Sequence, residues 1–306
     1  MPDFYTLQDL AQWQANGETL IPPARLAVIG DPIGHSKSPQ MHNPALREIG
    51  LDGQYIRVLV PKGTVEVALR QMAQMGFIGI NVTIPHKFEA LDAVDEVDPL
   101  ARRLGAVNTV AVRDGRLVGF NSDGPGFLRS VEEAFGTDVS ELRVLVLGAG
   151  GGAGRAVSVQ CALGGCPQLF LVNRTEEKSR ALKNEIQSFS GSTVVKTVSW
   201  NDAALRAVLP DVDLIVNGTS LGMKDEDETL LPANSLTKMH CVFDMVYRPG
   251  GKLTSLGQAA AAANAAYTDG RTLLLHQGAI SFEFWFQRPA PIETMRKGLT
   301  EALLAQ

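Results

Sequence analysis

The chain has 306 residues, 45% of them hydrophobic and 20% charged, and its net charge is -5 at pH 7. This length and composition predict a globular protein of two domains. The interspersed charges form no broad basic surface, which excludes nucleic acid and membranes as expected partners and favours a small soluble molecule.

The cysteines and histidines predict neither disulfides nor a metal site. Cys161, Cys166 and Cys241 are odd in number and form no C-x-x-C pair, and the five histidines lack ligand spacing such as H-E-x-x-H. No basic start precedes an apolar run, and no stretch approaches the ~18 apolar residues of a membrane span. We therefore expect reduced cysteines and a cytoplasmic protein.

The predicted elements begin with a helix at "TLQDLAQWQ", capped by Thr6. Short apolar runs then alternate with stretches of helical spacing. These runs are "RLAVIG", "YIRVLV", "GFIGINVT", "VNTVAV", "LRVLVLG", "LFLV", "STVVKTV", "VDLIVNGTS" and "HCVFDM". The alternation predicts an α/β fold with mainly parallel sheets.

Three further segments predict helices. "GTVEVALRQMAQM" has apolar residues at helical spacing, and "SLGQAAAAANAAY" is rich in alanine, a strong helix former. The tail after Gly270 is predicted to form two helices separated by Pro289 and Pro291, with no intervening strand. A domain boundary is expected in "NSDGPGFLRSVEEAFG", where glycine and proline precede a helix.

Polar residues follow several of the predicted strands in the first half of the chain. In "GDPIGHSKSP", Ser36, Ser38 and nearby N–H groups suit a carboxylate, although serines in turns also make purely local hydrogen bonds. Asn108 in "GAVNT" and Asp123 in "NSDGPG" lie where α/β proteins usually expose their crevice. Lys87 in "NVTIPHK", taken alone, is most simply a solvated surface lysine.

The segment "LRVLVLGAGGGAGRAVSVQCAL" combines an apolar strand, glycines and a helical pattern. Gly148, Gly150 and Ala153 have the spacing G-x-G-x-x-A, which lets a backbone turn approach a pyrophosphate at a helix N-terminus. This context favours dinucleotide binding over an ordinary tight turn.

The next predicted strand ends at "NRTEEK" and favours NADP over NAD. An NAD site would place an acid here, whereas Asn173, Arg174 and Lys178 suit a 2′-phosphate. The alternative is a helix start capped by Thr175 with solvated charges, since two glutamates dilute the basic patch.

Nine motifs together resemble the shikimate dehydrogenase family, in the order seen there and over residues 25–286. They are "GDPIGHSKSP", "GINVTIPHK", "GAVNT", "GFNSDGPGF", "GAGGGAG", "NRT", "NGTSLGM", "DMVYRP" and "HQGAISFEFW". The resemblance implies NADPH-dependent reduction of 3-dehydroshikimate to shikimate in chorismate biosynthesis. It also implies a substrate-binding domain at 1–123 plus 268–306, and a Rossmann-type NADP-binding domain at 124–267.

The resemblance also implies roles for individual residues. Lys87 and Asp123 would be the catalytic pair, with Lys87 giving a proton to the carbonyl oxygen. The implied substrate contacts are Ser36, Ser38 and Tyr247 to the carboxylate, Thr83 nearby, and Asn81, Asn108, Asp123 and Gln277 to ring hydroxyls. The implied cofactor contacts are Gly148, Ala149, Gly150, Gly151, Gly152, Ala153, Asn173, Arg174, Thr175, Lys178, Thr219, Ser220 and Met245.

Two departures from the family pattern concern the second domain. The threonine-proline element expected after "DMVYRP" is replaced by "GGKLTSL", which displaces Thr254 and predicts a different loop. Gly154 stands where a basic residue is expected, which argues against a cofactor role for Arg155. A quinate/shikimate dehydrogenase using NAD, an aminoshikimate-type substrate and a non-catalytic nucleotide- or metabolite-binding paralogue remain alternatives, and a homodimer is an open expectation.

Overall fold

The structure is a computed structural model that describes residues 3–16, 20–224 and 226–305. The chain divides into two compact units. We call Met1–Asp123 with Gln277–Gln306 the split unit, and Gly124–His276 the continuous unit. Each has its own sheet and its own hydrophobic core.

The split unit contains a seven-stranded mixed sheet. Its strands are β1 (Tyr5–Thr6), β2 (Ala24–Gly30), β3 (Gln54–Leu59), β4 (Gly79–Val82), β5 (Glu96–Val97), β6 (Thr109–Arg113) and β7 (Arg116–Phe120). Their spatial order is β1-β3-β2-β4-β6-β7-β5. Strands β1, β3, β2 and β4 are parallel, whereas β6 is antiparallel to both of its neighbours.

This change of direction brings several chain segments to one edge of the sheet. The residues after β2 and β4 leave the carboxyl ends of parallel strands, whereas β6 begins at that edge because it runs the opposite way. Asn81 accordingly lies beside Thr109, which in turn pairs with Phe120 near the end of β7. The loop that carries Ser36 and Ser38, which we call the serine loop, therefore adjoins the same edge as Lys87, Asn108 and Asp123.

Helices account for most of the rest of the described chain. Early in the sequence they are α1 (Leu7–Asn16), α2 (Ser38–Glu48), α3 (Val65–Gln74), α4 (Lys87–Ala93), α5 (Pro99–Leu104) and α6 (Asp123–Phe135). The later helices are α7 (Gly152–Leu163), α8 (Glu176–Gln187), α9 (Asp202–Val208), α10 (Ser255–Ala262), α11 (Gly270–Phe286) and α12 (Ile292–Leu304). Short 3₁₀ turns occupy Val139–Glu141, Leu209–Asp211 and Pro249–Gly251.

The continuous unit contains a six-stranded, wholly parallel sheet. Its strands are β8 (Arg143–Leu147), β9 (Gln168–Val172), β10 (Val194–Val198), β11 (Leu214–Asn217), β12 (Cys241–Asp244) and β13 (Ala266–Asp269). Their spatial order is β10-β9-β8-β11-β12-β13, which is the Rossmann order 3-2-1-4-5-6. A ligand crevice is expected where this order reverses, between β8 and β11.

The predicted elements are largely confirmed. All nine apolar runs contain strands, and Thr6 caps α1 by accepting from the Asp9 N–H at 3.3 Å. The two tail helices are α11 and α12, with no strand between them. The alanine-rich helix is shorter than predicted, since it ends at Ala262 and "AYTD" forms β13. None of the helices in the described residues is long and apolar enough to span a membrane.

Gly79 shows how closely α11 packs on the sheet of the split unit. A Cβ at this position of β4 would overlap the indole of Trp285, whose Nε1–H donates to the Val110 carbonyl at 2.9 Å. The indole is buried and held by that bond, so it has little room to move away. Glycine is therefore needed at position 79.

We predict that Gly79→Ala lowers the free energy of unfolding by at least about 2 kcal/mol, because the added methyl group overpacks the core. Urea unfolding followed by circular dichroism measures the change. Gly34→Ala is the matched control in the same unit, since its Cβ would make only an ordinary contact with Phe4. Equal stability of the two variants would contradict the packing argument.

Candidate active site and nucleotide-binding loop

Lys87 and Asp123 form an ion pair at the shared edge of the sheet. The Lys87 Nζ donates to the Asp123 Oδ2 at 2.7 Å, and the two side chains are 30% and 27% exposed. Each is the first residue of a helix, α4 and α6 respectively. The pair is thus largely shielded from water yet remains accessible to a small molecule.

The segments that carry the pair are held by local hydrogen bonds. The ring of buried His86, directly before Lys87, bonds the Val60 carbonyl at 2.7 Å. The backbone N–H of Asp123 donates to the Asn121 Oδ1 at 3.0 Å. These contacts fix both ends of the pair.

The serine loop lies between β2 and α2. The Ser36 Oγ donates to the Ser38 Oγ at 3.3 Å, and the Arg57 Nε donates to the Ser36 carbonyl at 2.7 Å. Ser38 is buried at the start of α2, whereas Ser36 is half-buried. The hydroxyls of Ser36 and Ser38 are therefore adjacent, and the Arg57 guanidinium stabilises the loop that carries them.

A buried polar cluster lies beside these residues. Its members are Asn81, Asn108, Thr109, Ser122 and Ser281, and each is at most 6% exposed. The Asn81 Nδ2 donates to the Ser281 Oγ at 2.9 Å, and the Ser122 N–H donates to the Asn108 Oδ1 at 2.7 Å. Ser281 comes from α11, which shows that the C-terminal segment helps to complete this cluster.

The remaining substrate candidates differ in their surroundings. Thr83 and Gln277 are half-buried in the split unit, and the Gln277 carbonyl accepts from the Ser281 hydroxyl at 2.9 Å. Tyr247 belongs to the continuous unit, where its ring packs close to Gly270 and burial raises the pKa of its phenol. The structure therefore gathers all the candidates except Tyr247 in one unit.

The glycine loop has the conformation that its sequence predicts. Gly148 has a φ of +77°, which favours glycine, and its N–H bonds the Val172 carbonyl at 2.9 Å. A Cβ at Gly154 would overlap the Gly148 carbonyl oxygen, and Gly154 is buried whereas Ala153 is exposed. Gly154, one residue after the predicted third motif position Ala153, is therefore the residue at which α7 packs closely against the turn that follows β8.

The segment after β9 contacts the glycine loop. The Asn173 Oδ1 accepts from the Gly150 N–H at 3.1 Å, and its Nδ2 donates to the Thr175 carbonyl at 3.0 Å. Thr175 caps α8 as predicted, but its side chain makes no cap hydrogen bond. Arg174 is exposed, lies over Trp200 at 6.0 Å, and pairs with Glu228 at 3.1 Å.

These residues fit a phosphorylated nucleotide. Arg174 and Asn173 border a pocket of about 390 Å³, which Ser199, Trp200 and Leu221 also line. The exposed Thr175 hydroxyl and Lys178 ammonium are at the N-terminus of α8, where negative charge is favoured. Arg155 is directed elsewhere, since its guanidinium donates to Glu185 on α8 at 2.5 Å.

The remaining cofactor candidates are in the continuous unit. Ala149 is buried, Gly151 and Gly152 are exposed at the start of α7, and Ser220 is exposed after β11. The Thr219 Oγ1 donates to the Asn217 Oδ1 at 2.7 Å, and the Met245 N–H donates to the Asn217 carbonyl at 3.1 Å. Asn217, which the sequence analysis did not single out, thus supports two of these candidates.

Asp244 connects Asn217 to the loop that departs from the family pattern. Its Oδ2 accepts from the Thr254 hydroxyl at 2.6 Å, and its Oδ1 accepts from the Asn217 Nδ2 at 2.8 Å. Thr254 also caps α10 by accepting from the Gly257 N–H at 3.0 Å. The displaced threonine is therefore anchored to Asp244, and Pro249–Gly251 form a short 3₁₀ turn before it.

The sequence matches two family models. A model of the shikimate dehydrogenase substrate binding domain matches residues 28–110, and one of the shikimate 5'-dehydrogenase C-terminal domain matches residues 270–299. The "Shikimate dehydrogenase (NADP(+))" of Symbiobacterium thermophilum is 38% identical over 283 residues, which are 92% of this chain and 95% of that protein. The chain belongs to the shikimate dehydrogenase family. The predicted family and its two-domain α/β fold are confirmed.

Solved structures of related enzymes have a fold similar to that of this chain. Shikimate 5-dehydrogenase from Thermus thermophilus, in complex with NADP(H) and shikimate, is 35% identical with a TM-score of 0.79, covering 92% of this chain and 100% of that one. Quinate dehydrogenase from Corynebacterium glutamicum, in complex with NAD, is 29% identical with a TM-score of 0.79, covering 90% and 98%. The overall fold alone therefore does not separate these two activities.

We predict that Asp244 makes this family member less stable as pH rises. Burial is the main cause that raises the pKa of its carboxyl from 3.8 to about 6, opposed by bonds from Thr254 and Asn217. The folded protein then retains a proton that the unfolded chain has lost between about pH 4 and 6. Unfolding free energy should fall across that window, by about 3 kcal/mol for a shift of this size.

Urea unfolding at pH 4.5 and pH 7 tests the contribution of Asp244. In Asp244→Asn, which carries no titrating carboxyl, the fall should be smaller than in the wild type. Asp202→Asn, an exposed change in the same unit, should leave the fall unchanged. An identical pH dependence in Asp244→Asn and the wild type would refute the assignment.

Proposed function

We propose that this chain is an NADP-dependent shikimate dehydrogenase that reversibly reduces 3-dehydroshikimate to shikimate. The observation that carries the proposal is the Lys87–Asp123 pair beside two adjacent serines and a buried amide cluster. A cyclic substrate with a carboxylate and several hydroxyls needs these three kinds of group. The relatives named shikimate dehydrogenase support the same reaction.

The substrate roles are proposed from side-chain chemistry. Ser36 and Ser38 donate their hydroxyls to the carboxylate, with Thr83 near them, and Tyr247 is a further proposed carboxylate contact. Asn81, Asn108, Asp123 and Gln277 contact the ring hydroxyls. Their exposed fractions agree with these roles, since each is buried or half-buried.

Lys87 is proposed as the proton donor in the reduction. NADPH supplies the hydride when it is bound, and the carbonyl oxygen that gains negative charge must then receive a proton. The Lys87 ammonium has three N–H bonds, one of which points to Asp123 at 2.7 Å. The carboxylate keeps the ammonium in place while another N–H faces the substrate oxygen, and in the reverse reaction the amine takes the proton back.

The cofactor would be held by the glycine loop and the start of α8. The Gly150 and Gly151 N–H groups bond the Asn173 Oδ1 and the Gly148 carbonyl and so shape the turn, and the N–H groups at the start of α7, from Gly152 onward, suit the pyrophosphate. Asn173, Arg174, Thr175 and Lys178 suit a 2′-phosphate, and no acidic residue ends β9 to accept from a ribose hydroxyl. Thr219, Ser220 and Met245 complete the set after β11 and β12.

We also propose a cytoplasmic location, supported by three cysteines that form no disulfide among the described residues. A homodimer stays an expectation, and light scattering on the purified protein tests it.

Initial rates with shikimate or quinate, each paired with NADP⁺ or NAD⁺, test the function. We expect turnover to be fastest with shikimate and NADP⁺. Faster turnover with quinate and NAD⁺ would support the dehydrogenase activity of the Corynebacterium relative instead. Absence of turnover in all four reactions would favour an altered substrate or a non-catalytic binding protein.

We predict that Lys87→Ala lowers turnover by about 10²- to 10⁴-fold, the usual contribution of one acid/base group. Lys87→Arg is the control, because it retains a positive charge beside Asp123 but cannot release its proton at neutral pH. Both variants should be slow, with a smaller loss of shikimate binding in Lys87→Arg. Full turnover in either variant would exclude Lys87 as the proton donor.

We predict that Arg174→Ala raises the KM for NADP⁺ by about tenfold, because a charge-assisted bond to the phosphate is lost. The KM for NAD⁺ should change less than twofold. The ion pair between Arg174 and Glu228 is exposed and contributes at most about 1 kcal/mol, so Arg174 can leave Glu228 to bind the phosphate. Arg180→Ala, which removes an exposed arginine of α8, is the matched control. Equal effects of Arg174→Ala on the KM for NADP⁺ and the KM for NAD⁺ would contradict the 2′-phosphate assignment.

A further inference from the structure

Tyr55 is a fully buried tyrosine beside the proposed substrate residues. Only 1% of its surface is exposed, and its ring stacks on His42 with the centroids 4.6 Å apart. Its backbone is held by Asn43, whose Oδ1 accepts from the Tyr55 N–H at 2.7 Å and whose Nδ2 donates to the Tyr55 carbonyl at 3.0 Å. The phenol oxygen therefore has a fixed position.

That oxygen connects two groups of proposed substrate residues. The Tyr55 hydroxyl donates to the Asn81 Oδ1 at 2.8 Å, and the nearby Ser38 side chain acts on the phenol in the direction that lowers its pKa. Ser38 in turn accepts from the Ser36 hydroxyl. One phenol thus lies between the serines assigned to the carboxylate and the amide assigned to a ring hydroxyl.

The bond from Tyr55 determines which end of the Asn81 amide points to it. The Asn81 Nδ2 donates to the Ser281 Oγ at 2.9 Å and approaches the Thr109 Oγ1 and the Asn108 carbonyl, both at 3.2 Å. A side-chain amide has two N–H donors and two lone pairs on its oxygen. Among the described contacts, one lone pair of Oδ1 is left over, so Asn81 can accept a substrate hydroxyl but cannot donate to it.

We propose that Tyr55 is a positioning residue for shikimate, acting through Ser38 and Asn81 without touching the substrate. This inference rests on the proposed function, because it takes Ser38 and Asn81 as substrate contacts. The phenol holds the Asn81 carbonyl oxygen toward the ring hydroxyls and orders the Ser38 hydroxyl next to the carboxylate. A preorganised contact of this kind reduces the cost of ordering side chains when substrate binds.

Burial also keeps Tyr55 in the protonated form that this role requires. Desolvation raises the pKa of its phenol well above the usual value, outweighing the opposing effects of Ser38 and Arg57. The hydroxyl therefore donates to Asn81 throughout the neutral pH range. Phenylalanine retains the stacked ring but loses this donor.

The test is the Tyr55→Phe variant, assayed with shikimate and NADP⁺. We expect the KM for shikimate to rise about 5- to 100-fold, the range for a buried group that loses its partner, with kcat changed less than about threefold. The KM for NADP⁺ should stay the same. Tyr5→Phe is the matched control, since Tyr5 packs on Trp13 in the same unit and removal of its hydroxyl should leave the KM for shikimate unchanged.

A mutant cycle separates positioning from general loss of structure. In a Ser38→Ala/Asn81→Ala background, Tyr55→Phe should change kcat/KM less than about threefold, because its two partners are gone. An undiminished effect in that background would overturn the proposal. An unchanged KM for shikimate in Tyr55→Phe would also overturn the proposal, provided that Ser38→Ala and Asn81→Ala both raise this KM. If neither of those two single variants raises the KM, the proposed substrate site itself is wrong.

Discussion

The direction of strand β6 is the constraint on which the candidate site depends. Strands β2 and β4 are parallel, so the segments that follow them leave the same edge of the sheet. Because β6 is antiparallel to β4, Asn108 lies at that edge just before β6 begins. Strand β7 reverses direction again, so its carboxyl end brings Asp123 to the same edge. A wholly parallel sheet would have placed the start of β6 at the far edge, remote from Lys87.

Burial at this edge then restricts what each polar group can do. A buried amide or hydroxyl without a partner costs free energy, so the amides of Asn81 and Asn108 are largely occupied by Thr109, Ser122 and Ser281. The few lone pairs left over define which substrate groups can be recognised. Lys87 and Asp123 differ from this cluster because they stay partly exposed, and their contact with each other can be shared with a ligand.

Most of the strands and helices can be predicted from the sequence, whereas the long-range contacts between side chains cannot. Short apolar runs predicted nine strands, whereas β7 and β13 were not predicted, and the two-residue strands β1 and β5 contain too few residues to produce a pattern. The proposed catalytic pair, Lys87 and Asp123, was predicted from the family motifs, and the structure brings the two side chains together. Ser281 did not emerge, because it is 200 residues from Asn81 in the sequence and a contact over that separation leaves no local pattern. The serine's signal was its position in "HQGAISFEFW", one helical turn after Gln277.

The glycines of the loop before α7 differ in the reason why they lack a side chain. Gly154 must lack a side chain because the chain itself approaches it, as the Gly148 carbonyl and Gly218 do. At Gly152 the reason is different, since no described atom beyond its chain neighbours and its own helix backbone lies within 4 Å of where a Cβ would be. Folding alone would tolerate alanine there, in the first turn of α7. A glycine that the fold does not require, at a helix N-terminus, supports the proposed pyrophosphate contact, because it leaves room for a ligand close to the backbone.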